Sequence, residues 1–139
     1  MTQEDKNLLL KDLCARLPYG VKVKLGDNPN IFDLEYRIKF AVMYGDSDKL
    51  EDILDITNIK PYLFPMSSMT KEQEKEYDKA YMKDMEAVRN NLLKFAKGEP
   101  ILDGAIMYHH IEWLNKNKFD YRGLIPMGLA NDATDKNIY

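Results

Sequence analysis

Between Pro61 and Thr70 the hydrophobic pattern of the chain changes period, and this change constrains the fold more than any other feature. Before Pro61-Tyr62-Leu63-Phe64-Pro65 the apolar residues recur mostly every second position. After Met66-Ser67-Ser68-Met69-Thr70 they recur every three or four. A two-residue period suits strands and a 3.6-residue period suits helices. A chain that runs through one and then the other reads as α+β. The stretch between them reads as the joint holding a small sheet against a long helix.

Taken in order, Thr2 with Asp5 three residues on predicts a helix N-cap with an acid in the first turn. Leu9, Leu13 and Leu17, with Leu10 and Cys14, form an apolar stripe, so 3–17 reads as a helix stopped by Pro18 and Gly20. On that stripe Cys14 is expected to be a buried, inert thiol. Val21 to Leu25 alternates apolar and basic residues, as a half-buried strand does, and Gly26 to Asn30 is a turn. From Phe32 to Val42 the side chains of Phe32, Leu34, Tyr36, Ile38, Phe40 and Val42 share one face of a second strand. Residues 50–59 fit either a helical turn at Leu50, Ile53 and Leu54 or a strand near 53–59. The strand is preferred because a lone hairpin is marginal, and Pro61 then leaves the sheet at its edge.

Thr70 and Gln73 form a capping box. The helix they open carries Tyr77, Tyr81, Met85, Val88, Leu92 and Phe95 on one face and ends at Gly98 and Pro100. That face is expected to be core, and its spacing also suits a homodimer seam running from Tyr77 to Phe95. Asp103 is the expected cap of a shorter helix over 104–116, with Ile106, His110, Trp113 and Leu114 inside. A compact, turn-rich end follows, and Asn131 to Tyr139 is expected to fray. The expected architecture is an N-terminal helix, an antiparallel sheet of about three strands, a long helix and a shorter C-terminal helix. It forms one domain over 1–139, with a helix-plus-sheet half (1–65) and a helical half (66–139).

Composition narrows the function classes. Net charge is −3 and evenly spread, with 9 basic and 11 acidic residues in 1–60 and 11 and 12 in 61–139. Neither half is built to neutralise phosphates wholesale. The one basic row, Lys22, Lys24, Arg37 and Lys39 on outward strand faces beside Tyr19 and Tyr44, supports nucleic-acid binding as the second reading. A single cysteine, an acidic N-terminus and no apolar run of membrane length point to a cytoplasmic protein away from the membrane.

Catalytic patterns are missing from the sequence. Adjacent histidines on a helix point about 100° apart, so His109 and His110 do not converge on one ion, and no metal or other cofactor is expected. The acids form no marked pair, and neither a nucleophile elbow nor a phosphate loop is present. An enzyme remains open but is the lesser expectation. Informative side chains are densest from Trp113 to Leu124. Trp113, Asn115, Asn117, Asp120, Tyr121 and Arg122 could form a binding surface, or serve as helix ends, caps and ion pairs.

Three blocks carry a resemblance: Leu8-Leu9-Leu10-Lys11-Asp12-Leu13-Cys14-Ala15-Arg16-Leu17-Pro18-Tyr19-Gly20-Val21, then Lys60 to Thr70, then Phe119-Asp120-Tyr121-Arg122-Gly123-Leu124-Ile125 with Gly128-Leu129-Ala130. In that order they resemble a set of small uncharacterised proteins of Bacteroides-type gut bacteria, often encoded in prophage-like or other mobile regions. The resemblance implies a bacterial or phage origin and an intracellular setting, and brings no activity with it. It implies a shared scaffold with a variable surface, which suits a non-catalytic accessory protein binding a protein partner.

Overall fold

The structure, a computed structural model, describes residues 1–38, 55–99 and 109–139. The chain is α+β and divides into two compact units, residues 1–68 with 118–139, and residues 69–117. The segment 118–139, placed in the helical half from sequence, therefore belongs with the sheet.

In the first unit, α1 spans Gln3–Arg16. The Asp5 amide donates to Thr2 Oγ1 (3.1 Å) and the Thr2 amide to Asp5 Oδ2 (2.9 Å), as the spacing predicts. A 3-10 turn at Leu17–Tyr19 follows, and Gly20 takes the left-handed φ of 76° that ends it. The buried face of α1 holds Leu9, Asp12, Leu13 and Arg16. Cys14 lies about 100° around the helix from Leu13 and is exposed, which corrects the expectation of a buried thiol.

The sheet has strand order β2-β1-β3-β4. β1 (Lys22–Leu25) pairs antiparallel with β2 (Ile31–Asp33) and with β3 (Ile59–Leu63), whereas β4 (Asn131–Asp132) runs parallel to β3. Leu9 and Leu13 of α1 pack with Val21, Val23, Leu34, Ile59, Leu63, Leu124, Leu129 and Ala130 into one apolar core.

Several sequence expectations change here. The strand predicted from Phe32 stops at Asp33, and residues 34–38 are helical. Leu34 and Ile38 are four apart, so they satisfy a helical period as well as a strand period. Tyr36, which would share their face in a strand, is 68% exposed while Leu34 is buried. Phe40 and Val42 lie outside the described residues. So do Leu50, Ile53 and Leu54; the strand expected near 53–59 begins instead at Ile59, after a 3-10 turn at Ile56–Asn58 capped by Asp55.

Pro61 does not leave the sheet but sits in β3, between β1 and β4. The register explains how. The Gly26 amide donates to the Asn58 carbonyl (2.7 Å), so 26/58 is a hydrogen-bonded pair. Such pairs alternate along an antiparallel ladder, so Val23/Pro61 is a non-bonded pair and the Pro61 nitrogen faces away from β1. Pairing with β4 begins one residue later, at Tyr62. No donor is needed where proline lacks one.

The tail does not fray. Ala133 is buried and its amide donates to the Leu63 carbonyl (2.8 Å). At Lys22/Tyr62, where the ladder register would place the next bonded pair, the Tyr139 hydroxyl intervenes. It accepts from the Lys22 amide (2.9 Å) and donates to the Tyr62 carbonyl (2.8 Å). Burial of the hydroxyl pushes its pKa up to about 12. A pKa raised above the ordinary 10 favours the protonated tyrosine in the fold. Its contribution is therefore complete below pH 10 and is lost as pH rises toward about 12. Tyr139→Phe is expected to cost about 1–3 kcal/mol, because two main-chain groups lose their partner. In a spectrophotometric titration Tyr139 should contribute a late-ionising step. An unchanged late step in the Phe variant would refute the assignment.

In the second unit, α2 spans Lys71–Ala96, 26 residues opened by the Thr70–Gln73 capping box. It ends at Lys97 and a left-handed Gly98. The last helix, α3, is described over His109–Lys116; Asp103, its expected cap, lies outside the described residues. α3 packs along α2, but the predicted apolar stripe is not core. The buried residue of α2 is Asp84. Tyr81 and Met85 are exposed, and Leu92 and Phe95 are 64% and 69% exposed.

Candidate functional site

Two clusters of ionisable groups stand out, one in each unit. In the first unit Asp12 and Arg16, one helical turn apart, are both fully buried. Arg16 Nε donates to Asp12 Oδ2 (2.8 Å) and Arg16 Nη2 to the Phe119 carbonyl (2.7 Å). Arg122 Nη1 donates to the other oxygen of Asp12 (2.7 Å). The Tyr121 ring lies against both guanidiniums, with centroid distances of 5.3 Å to Arg16 and 4.6 Å to Arg122. Arg16 Nη1 is buried with no hydrogen-bond partner. Asp120 is also buried, and its two oxygens accept from the amides of Leu124 and Ile125 (both 2.8 Å).

This cluster joins the blocks that carry the resemblance. Asp12 and Arg16 come from the first block and Phe119 to Arg122 from the third. Phe64 of the second block exchanges main-chain hydrogen bonds with Lys118 and Asp120 (both 2.8 Å), and its ring lies 6.1 Å from that of Phe119.

In the second unit the carboxylate of Asp84 is enclosed by the first turn of α3. Oδ1 accepts from the His109 amide (3.1 Å) and from His109 Nδ1 (2.7 Å). Oδ2 accepts from the His110 amide (2.9 Å) and from His110 Nδ1. Burial alone would raise the pKa of Asp84. The four hydrogen bonds, led by those from His110, override it and hold the carboxyl well below the ordinary range. Adjacent helical positions point the two residues about 100° apart, yet both rings turn back onto one group. At a helix N-terminus the ring nitrogen and the free amide of one residue can reach the same acceptor. That acceptor is an anion, not a metal ion.

The His110 ring stands edge-on to Tyr81 (5.4 Å) and Tyr77 (6.2 Å). Trp113 lies 5.9 Å from Tyr77 and donates its indole N–H to Glu76 (3.2 Å). Each Nδ1–H is given to the carboxylate. All four lone-pair directions of Asp84 are used, and two of its donors are main chain. The first task of the group is to hold the start of α3. Among the described residues no three histidine, cysteine or acidic side chains gather where they could hold a metal ion.

The six candidate binding residues divide between the units. Trp113 and Asn115 lie on α3, with Asn115 buried, and Asn117 donates its side-chain N–H to the Trp113 carbonyl (2.9 Å). Asp120, Tyr121 and Arg122 lie in the other unit, as above. The candidate basic row is also broken up. Lys22 pairs with Asp33 (3.0 Å), Arg37 sits in the helical residues 34–38, and Lys39 is outside the described residues. Lys24 instead faces Lys60 across β1 and β3.

Neither cluster was anticipated, although each leaves a trace in the sequence. Asp12 and Arg16 fall on the apolar stripe of α1, and Asp84 falls seven residues after Tyr77 on the face of α2 that meets α3. A charge on an apolar face is the signal, because it is retained there only when paired.

No family model, curated protein or solved structure matches this chain. Its functional reading therefore rests on its own surfaces. The most distinctive of these is the side of α2 that bears Leu92 and Phe95, 64% and 69% exposed, with Tyr81 and Met85 also exposed along it.

Proposed function

We propose that this chain is a non-catalytic interaction protein of a mobile genetic element, which engages a protein partner through the exposed apolar side of α2. The observation that carries this reading is that apolar band. The side chains of Tyr81, Met85, Leu92 and Phe95, roughly 200 Å² each and scaled by their exposures, leave on the order of 400 Å² uncovered. This falls within the ~300–600 Å² range for the largest patch on a monomer, which is often functional. Support also comes from the described acids best placed for chemistry. Asp12, Asp84 and Asp120 are all buried and engaged by guanidiniums, imidazoles or main-chain amides. The mobile-element setting rests on the resemblance of the three blocks.

The test compares the protein with its Leu92→Glu/Phe95→Glu variant as baits in lysate of a bacterial host. A protein retained by the first and lost by the second supports the reading. Identical retained sets from both baits count against it.

Nucleic-acid binding is the second reading, and one observation favours it. Lys24 and Lys60 are directly opposed on adjacent strands, and neither forms an ion pair among the described residues. Like charges placed so are unfavourable, and a phosphate would relieve them. Salt-dependent binding of a labelled single strand, lost in Lys24→Glu/Lys60→Glu, would support it. No binding at low salt would remove it.

A further inference from the structure

We infer that the partner seated on α2 is a second copy of this chain, packed along the same face about a two-fold axis near Val88. This inference rests on the interaction reading above and names the occupant. Tyr81, Met85, Val88, Leu92 and Phe95 follow spacings of 4, 3, 4 and 3, the seam of a two-helix coiled coil. Tyr81 and Phe95 each lie seven residues from Val88. An antiparallel copy crossing at Val88 thus sets Phe95 against Tyr81 of the second copy, and Leu92 against its Met85. A two-fold contact must be self-complementary in this way.

Charge favours a copy over a partner of opposite charge. α2 carries six basic residues (Lys71, Lys75, Lys79, Lys83, Arg89, Lys94) and six acidic ones (Glu72, Glu74, Glu76, Asp78, Asp84, Glu86), a balance of zero. A neutral helix does not repel its own copy and offers no net field to attract a charged partner. The seam side chains expose on the order of 400 Å² per copy, about 800 Å² in total, the size of a weak, transient contact. The dimer should therefore be reversible and concentration-dependent.

Sedimentation equilibrium over a broad concentration series tests this. The mass is expected to rise from the 16.2 kDa of one chain toward twice that value. Leu92→Glu/Phe95→Glu should weaken association at least tenfold with an unchanged circular dichroism spectrum, because both side chains are already largely exposed. A wild-type chain that stays at 16.2 kDa at the highest concentration overturns the inference. So does a variant that dimerises as tightly as wild type. A monomer that still retains a different protein, lost in the variant, sinks the second copy while leaving the interaction reading standing.

Discussion

Asp12→Ala is expected to lower the melting temperature by roughly 15–30 °C, corresponding to about 3–5 kcal/mol in a unit of this size. Asp12 is the counter-charge for two guanidiniums, and Arg16 has no exposure to water at all. Removing the carboxylate leaves a buried cation with one remaining hydrogen-bond partner, the Phe119 carbonyl, and Arg16 Nη1 is already without one. The cost comes from stranding the charge, not from the strength of the pair itself. Asp12→Leu combined with Arg16→Met should therefore recover most of the loss, since it removes both charges and fills the space. Arg122 reaches solvent, so Arg122→Gln should cost only about 1 kcal/mol. Calorimetric melts of the four proteins separate these cases. An Asp12→Ala protein melting within a few degrees of wild type would show that the buried triad is not what holds α1 to the 119–122 segment.

The same triad bears on what the three blocks of the resemblance contain. They meet in one place, where Asp12, Arg16, Tyr121 and Arg122 are spent on one another and Asp120 caps the amides of Leu124 and Ile125. These contacts tie the three segments together. Tyr121 and Arg122, offered by the sequence as part of a binding surface, are half-buried, with Arg122 bonded to Asp12 and the Tyr121 ring against both guanidiniums.

How much of this was legible depended on the range of the interaction. Both capping boxes were readable because a hydroxyl and an acid or amide three residues apart act locally. The extent of α2 followed from its cap and Gly98. Phe32 to Ile38 misled because Leu34 and Ile38 satisfy two periods at once, and only the exposure of Tyr36 separates them. β4 is two residues long and pairs with a strand nearly seventy positions earlier, and the Tyr139 hydroxyl reaches back to Lys22. No local pattern encodes either contact. The α2 stripe was read correctly as a face but not as an exposed one, since periodicity shows that apolar residues share a side and not what covers it.

In the second unit Asp84→Asn is expected to release the start of α3, at a cost of about 2–4 kcal/mol. The carboxylate lies beneath the two imidazoles and satisfies four donors at once. An amide presents one acceptor atom where four N–H groups converge and turns its own N–H₂ toward two of them. Two donors lose their partner and face a like group. Because the carboxyl is held below its ordinary value, 3.8, its contribution is complete above that pH and is withdrawn as pH falls further. Acid should thus loosen α3 in the wild type only below about pH 4, whereas in Asp84→Asn α3 should be loose at neutral pH. Amide hydrogen exchange reads this directly. His109 and His110 should be protected at neutral pH in the wild type and exchange freely in the variant, while amides in the middle of α2 change little. Equal protection in both proteins would mean that the helix start is held by something other than Asp84.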